Sequence, residues 1–154
     1  MEYKVIDGKG IIPDGTTEIE KSAFKGCTSL QSIEIPDSVT EIGDEAFGDC
    51  PNLQSIEIPD SVTRINHSAF YGCTSLQSIV IPDSVTMIDS SAFLDCNNLT
   101  SIIVSKNNPK YESTNNCMLT KGGKELVLCR DCREMLKIVF DFPNELIDKV
   151  IEIS

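Results

Sequence analysis

The sequence predicts a β-rich solenoid of four short coils, on three observations. The segment Ile35-Pro36-Asp37-Ser38-Val39-Thr40 returns as Ile58-Pro59-Asp60-Ser61-Val62-Thr63 and as Ile81-Pro82-Asp83-Ser84-Val85-Thr86, 23 residues apart each time, with a divergent copy at Ile12-Pro13-Asp14. Apolar columns keep the same period: Ile19, Ile42, Ile65, Ile88; Phe24, Phe47, Phe70, Phe93; Leu30, Leu53, Leu76, Leu99; Ile33, Ile56, Ile79, Ile102. One identical apolar residue at each recurrence means that every repeat adds a side chain to a shared stack. Finally, a proline follows each short apolar run, and proline cannot donate to a ladder, so the strands must be short.

Each coil is built in the same order. Leu53-x-x-Ile56-x-Ile58 alternates inward and outward positions, the pattern of a half-buried strand, and Pro59 ends it. Val62 and Ile65 point inward along a second extended segment. Asn66 to Ala69 turns the chain, and Ala69-Phe70 is expected in a helical turn with Phe70 as the largest core wedge. Cys73 follows, and Thr74-Ser75 leads into the next strand. Coils of this kind stack about 4.8 Å apart, so four of them make a rod about 20 Å long.

The pattern L-x-x-I-x-I-P-x-S-V-x-x-I-x-x-x-A-F-x-x-C, as in Leu53 to Cys73, resembles the bacterial BspA-like leucine-rich repeat over residues 12–104. The resemblance implies a leucine-rich-repeat solenoid, a right-handed β-rich superhelix with short strands and helical turns, ending in a C-terminal hairpin and cap. Residues Asn107 through Leu128 resemble the hairpin that interrupts such arrays, with a tight-turn signal at Lys121-Gly122-Gly123-Lys124. The chain thus divides into an N-terminal cap (1–11), four repeats (12–104), a hairpin insertion (105–130) and a last segment (131–154). That last segment reads in two ways. Leu146, Ile147, Val150 and Ile151 have amphipathic helical spacing behind Asn144 as N-cap, which suits a terminal cap. A degenerate extended repeat is the alternative, since Phe142-Pro143 echoes the Ile-Pro junction.

Charge narrows the partners. The 154 residues hold 13 basic and 24 acidic side chains, and the net charge of −11 falls wholly within residues 1–104, which carry 5 basic and 16 acidic groups. Nucleic acid and anionic membrane surfaces need clustered Lys and Arg, so both are disfavoured as partners. No run of about 18 apolar residues is present for membrane insertion. Met1 to Val5 does not start a secretory signal, which predicts a cytoplasmic location for a complete chain and an extracellular or cell-surface one for a processed fragment. Seven cysteines, an odd number, do not close a disulfide framework and favour a reducing compartment.

Residues able to carry chemistry have plainer roles available. Cys27, Cys50, Cys73 and Cys96 form a column at one corner of successive coils, where a thiol acts as a small buried hydrophobe. Stacked thiols lack the tetrahedral convergence that zinc requires. Cys129-Arg130-Asp131-Cys132 lacks a second pair for zinc and the flanks of a redox motif, so a disulfide or structural role is expected there, with Cys117 as a third thiol. Asp14, Asp37, Asp60 and Asp83 recur after proline, which suits side-chain turn chemistry; a calcium ladder is the competing reading. His67 occupies a slot that accepts Lys21, Asp44 and Ser90 elsewhere, so it carries no invariant catalytic task. No phosphate loop or nucleophile elbow occurs. The sequence therefore predicts no enzyme, no cofactor and no metal site.

Outward positions vary where inward ones do not. The series Glu34, Glu57, Val80, Ile103 on the main strand, Glu18, Glu41, Arg64, Met87 on the second segment and Lys25, Gly48, Tyr71, Leu94 on the convex side all become apolar toward the last repeat. Either the hairpin and C-terminal segment fold over these residues, the favoured expectation for Val80 and Ile103, or they form a partner patch. The candidate partner-binding residues are Glu34, Glu57, Arg64, Tyr71, Val80, Met87, Leu94 and Ile103. The predicted function is a non-catalytic scaffold that presents them to a protein partner, and the resemblance implies adhesion or host interaction. Self-association into a homo-oligomer, through the apolar end or a sheet edge, is the alternative.

Overall fold

A computed structural model describes residues 2–114, 117–122 and 126–129, so the expected cap or degenerate repeat at 131–154 lies outside the described residues, as does Cys132. The chain winds into a β-solenoid of about four turns. One side begins with a hairpin of β1 (Lys4–Ile6) and β2 (Lys9–Ile11) and continues through β4 (Ser32–Ile33) and β6 (Ser55–Ile56). Asp7 and Gly8 join the hairpin with φ of 49° and 80°, the doubly left-handed two-residue turn that an Asp-Gly pair favours. Further along this side, β8 (Ser78–Ile81) pairs with β10 (Ser101–Val104), and no ladder links β6 to β8. The second side is a continuous parallel sheet of β3 (Glu18–Ile19), β5 (Glu41–Ile42), β7 (Arg64–Ile65) and β9 (Met87–Ile88). Every parallel pair is offset by one repeat: Ser32 faces Ser55, Ile42 faces Ile65, Ile102 faces Ile79.

The third side corrects the expectation of helical turns, since no helix forms among the described residues. Ser22, Glu45 and Ser68 have φ between 52° and 59°, and Gly26, Asp49, Gly72 and Asp95 are also left-handed. Left-handed residues interrupt any helix and swing alternate amides toward the neighbouring coil. Phe24, Phe47 and Phe70 each donate their backbone N–H to Ala46, Ala69 and Ala92 of the next coil, all at 2.8 Å. Backbone groups that a helix would satisfy within the coil are satisfied between coils instead.

The core follows the repeat. Phe24, Phe47, Phe70 and Phe93 stack in parallel with ring centroids 5.3–5.4 Å apart. The isoleucine, leucine and valine columns are buried around them, with Ala46, Ala69 and Ala92 leaving room for the rings.

Two tyrosines finish the second sheet. Tyr3 Oη donates to the Glu18 carbonyl and accepts from the Glu20 N–H, each at 3.2 Å, beside the first strand. At the last strand, Ile88 N–H donates to Tyr111 Oη at 3.0 Å. Asn108, fully buried, completes this end: Nδ2 donates to the carbonyls of Pro82 (2.7 Å) and Val85 (2.9 Å), and Oδ1 accepts from Lys110 and Tyr111 N–H. An antiparallel meander follows, of β11 (Tyr111–Thr114), β12 (Cys117–Thr120) and β13 (Leu126–Cys129). It packs against β10, and Val104 N–H donates to Ser113 Oγ at 3.0 Å.

Candidate partner-binding face

Stacking of the coils places residues one repeat apart side by side, by strand pairing within β4–β6 and β8–β10 and by the second-side ladder between them, so the outward positions form rows. On the first side Glu34, Glu57, Val80 and Ile103 make one such row, with the exposed hydroxyls of Ser32, Ser55 and Ser78 in the row beside it. An open groove of about 960 Å³ lies over β4 and β6, lined by Ser32, Glu34, Asp37, Ser55, Glu57 and Asp60. Lys9 approaches Glu34 at 3.6 Å, whereas Glu57 makes no ion pair among the described residues. The row then turns apolar. Val80 and Ile103 are each 51% exposed, which corrects the expectation that the hairpin covers them. The described meander abuts the end of the array through Asn108 and Tyr111 and leaves the face open.

The other candidates lie elsewhere. Arg64 and Met87 neighbour each other on the second side; the Arg64 guanidinium sits 3.8 Å from Glu41, and Met87 is exposed. Tyr71 and Leu94 lie on the third side. Leu94 is exposed, but Tyr71 is half-buried and hydrogen-bonded to Asp95, whose charge, ahead of that bond, raises the phenol pKa. The eight candidates therefore divide among three sides, and only Glu34, Glu57, Val80 and Ile103 share one row.

One cluster escaped the sequence, where His67 has neither a carboxylate nor a thiol near it. Adding one repeat brings residues 89–91 beside His67: its Nδ1 lies 2.9 Å from Ser91 Oγ and 3.5 Å from Asp89. Ser91 Oγ donates to Asp89 Oδ1 at 2.5 Å and accepts the Ser68 N–H at 3.1 Å. A nucleophile relay needs the two imidazole nitrogens to serve carboxylate and hydroxyl separately. Here one nitrogen meets both, and the hydroxyl proton is committed to the carboxylate. The cluster is a clasp between coils. Hydrogen bonds from the Ser91 hydroxyl and then its N–H, with a smaller contribution from His67, hold Asp89 below the ordinary 3.8. A depressed carboxylate stabilises the fold above its unfolded pKa, and that contribution is lost as pH falls through the folded value. Ser91→Ala is expected to raise the Asp89 pKa toward 3.8, read by carboxyl NMR titration; an unchanged value would remove the clasp.

The cysteine column does more than fill space. Cys50, Cys73 and Cys96 each donate Sγ–H to the carbonyl of Phe24, Phe47 and Phe70, at 3.0–3.1 Å. All three thiols are buried, but Cys27, with no complete coil before it, is only partly buried. Burial pushes the Cys50 pKa up to about 12 and raises those of Cys73 and Cys27. An unfolded thiol ionises near 9, so above that pH the unfolded chain loses protons that the native one keeps. Cys50 alone is expected to lower stability by about 1.4 kcal/mol per pH unit until the folded value is reached. Urea unfolding from pH 8 to 10.5 checks this, and Cys50→Ala should flatten the decline.

The other sequence-based expectations resolve unevenly. Cys117 is disulfide-bonded, so the seven cysteines are not one reduced set. In the β12–β13 ladder the backbone of Cys117 stands opposite that of Cys129. The expected side-chain turn chemistry of the aspartate column is absent among the described residues; the turns close by Val39, Val62 and Val85 N–H donating to the carbonyls of Pro36, Pro59 and Pro82. No group of three His, Cys, Asp or Glu side chains suited to a metal ion occurs among the described residues. No described helix is long and apolar enough to cross a membrane.

Comparison with known proteins agrees with this geometry. No curated protein matches the chain. Among solved structures it is similar to a leucine-rich repeat protein from Eubacterium ventriosum, with 28% identity and a TM-score of 0.61 over 76% of this chain and 37% of that one. The pneumococcal vaccine antigen PcpA shows 26% identity and a TM-score of 0.65 over 71% of this chain and 27% of that one. A leucine rich cell surface protein from Faecalibacterium prausnitzii shows 38% identity and a TM-score of 0.51 over 64% of this chain and 32% of that one. The chain thus spans about a third of these proteins' length. Residues 9–119 match the BspA type leucine rich repeat region in six copies. With its one-repeat parallel register and its stacked phenylalanine column, the chain belongs to the BspA-type leucine-rich repeat family.

Proposed function

We propose that the chain is a non-catalytic protein-binding module that presents the Glu34-to-Ile103 row to a protein partner at a cell surface. The observation that carries this is the contrast along the array: the inward columns are uniform and buried, while the outward row is acidic over the β4–β6 ladder and apolar over the β8–β10 ladder. Residues held by ladder and stack lose little entropy on binding, so even modest contacts add up to affinity. The surface location is supported by the disulfide at Cys117, since disulfides persist in oxidising compartments, and by two similar proteins described as a vaccine antigen and a cell surface protein. Adhesion fits that setting.

The test is saturable binding of the purified chain to immobilised extracellular-matrix and epithelial-surface proteins. Ser55→Arg with Ser78→Arg obstructs the row at exposed positions, and Glu20→Arg places a similar charge on another exposed site. Loss of binding in the first variant alone is expected. No saturable binding, or equal binding by both variants, rejects the reading.

A further inference from the structure

Resting on that reading, we infer the chemistry of the segment that occupies the face: an extended stretch of a partner protein with a basic side chain followed, two residues on, by large apolar ones. The row sets this order. Its acidic half is Glu34 and Glu57, with Asp37 and Asp60 on the groove wall. Lys9 attends Glu34, which leaves Glu57 as the carboxylate nearest the apolar half without an ion-pair partner among the described residues. Val80 and Ile103, adjacent in the β8–β10 register, then offer two half-exposed side chains.

Spacing and charge select the occupant. The β7–β9 ladder and the Phe70–Phe93 stack hold these two coils one strand spacing apart, about 4.8 Å, so the centre of the Val80–Ile103 pair lies roughly 7 Å from Glu57. In an extended chain, residues i and i+2 point to the same side and are separated by about 6.6 Å. A Lys or Arg over Glu57 therefore brings the side chain two residues on over Val80 and Ile103. The net charge of −11 steers a basic segment toward the coils and repels an acidic one. The outward row holds no aromatic ring, which disfavours a sugar platform, and the smooth serine row beside it accommodates a backbone. A second copy of this chain would set these carboxylates against its own carboxylates or, with the row reversed, against Val80 and Ile103, and neither arrangement pairs their charge.

Three nine-residue peptides test this on the intact chain by fluorescence anisotropy: one with a central Lys-Thr-Val-Thr-Ile, one with Glu in place of Lys, and one with Ser in place of Val and Ile. The first is expected to bind at least tenfold more tightly than either control, with the advantage over the Glu peptide shrinking as salt rises. Glu57→Lys should reverse the preference between the Lys and Glu peptides, and Val80→Ser with Ile103→Ser should erase the advantage over the Ser peptide. All three substitutions are at exposed side chains, and an unchanged melting temperature confirms intact folding. Equal binding of the peptides, no binding, or a Lys preference that survives Glu57→Lys overturns the inference. Concentration-dependent sedimentation abolished by Val80→Ser with Ile103→Ser would instead assign the apolar pair to a second copy, and overturns it too. Row-dependent binding of a whole protein that ignores the charge of residue 57 would defeat this inference and leave the protein-binding reading standing.

Discussion

Asn108→Ala is expected to lower the free energy of unfolding by about 3–5 kcal/mol, among the largest effects of any polar substitution in this chain. The side chain is fully buried and uses both amide protons and its carbonyl oxygen, bridging the last Pro-Asp-Ser-Val turn to the start of the meander. Truncation strands the buried Val85 carbonyl and the buried Tyr111 N–H and takes one of two bonds from the Pro82 carbonyl, and an unmet buried group costs about 1–3 kcal/mol where water does not enter. Asn98→Ala is the comparison. Its side chain donates to the Thr74 carbonyl at 2.7 Å but is exposed, so water replaces the bond and the loss should stay below about 1 kcal/mol. Urea midpoints of the two variants decide the matter: similar shifts would mean that Asn108 does not hold the end of the array.

Phe70→Ala should cost about 3–5 kcal/mol by transfer and cavity terms together. Its ring lies between Phe47 and Phe93, and it is fully buried. In a stacked array each coil is stabilised mainly by its neighbours, so an interior cavity weakens two interfaces. With typical stabilities of 5–15 kcal/mol, that loss approaches unfolding of the whole chain. Phe70→Leu keeps most of the volume and should cost about 1–1.5 kcal/mol, which keeps the comparison measurable if the alanine variant does not fold. Circular dichroism melts of both variants test this, and a Phe70→Ala loss no greater than that of Phe70→Leu would show that the column is not under packing constraint.

The coil interior is legible in the residues because a 23-residue period repeats one structural decision: if Ile42 is inward, so are Ile65 and Ile88. The outward row is legible for the same reason, since Glu34 and Glu57 must be neighbours once Ile33 and Ile56 are. The turn at Asp7-Gly8 also carries its own signal. The third side is not legible in the same way. Ala-Phe with an apolar stripe has the composition of a helical turn, but left-handed Ser22, Glu45 and Ser68 commit the amides to the next coil. Local propensity does not register that choice, because the partner carbonyl is 22 residues away in sequence.

Periodicity alone established the number of coils, the inward columns and which outward residues stand side by side, because translation by one repeat maps each environment onto the next. It is silent where that translation stops. The packing of the ends decided that Tyr3 and Tyr111 supply hydrogen bonds a further coil would have made, and that Asn108 ties the last Pro-Asp-Ser-Val turn to the meander. It also decided that the described meander abuts the last coil and leaves Val80 and Ile103 half exposed. A missing neighbour leaves unpaired backbone groups and bare side chains, and what satisfies them comes from outside the repeat.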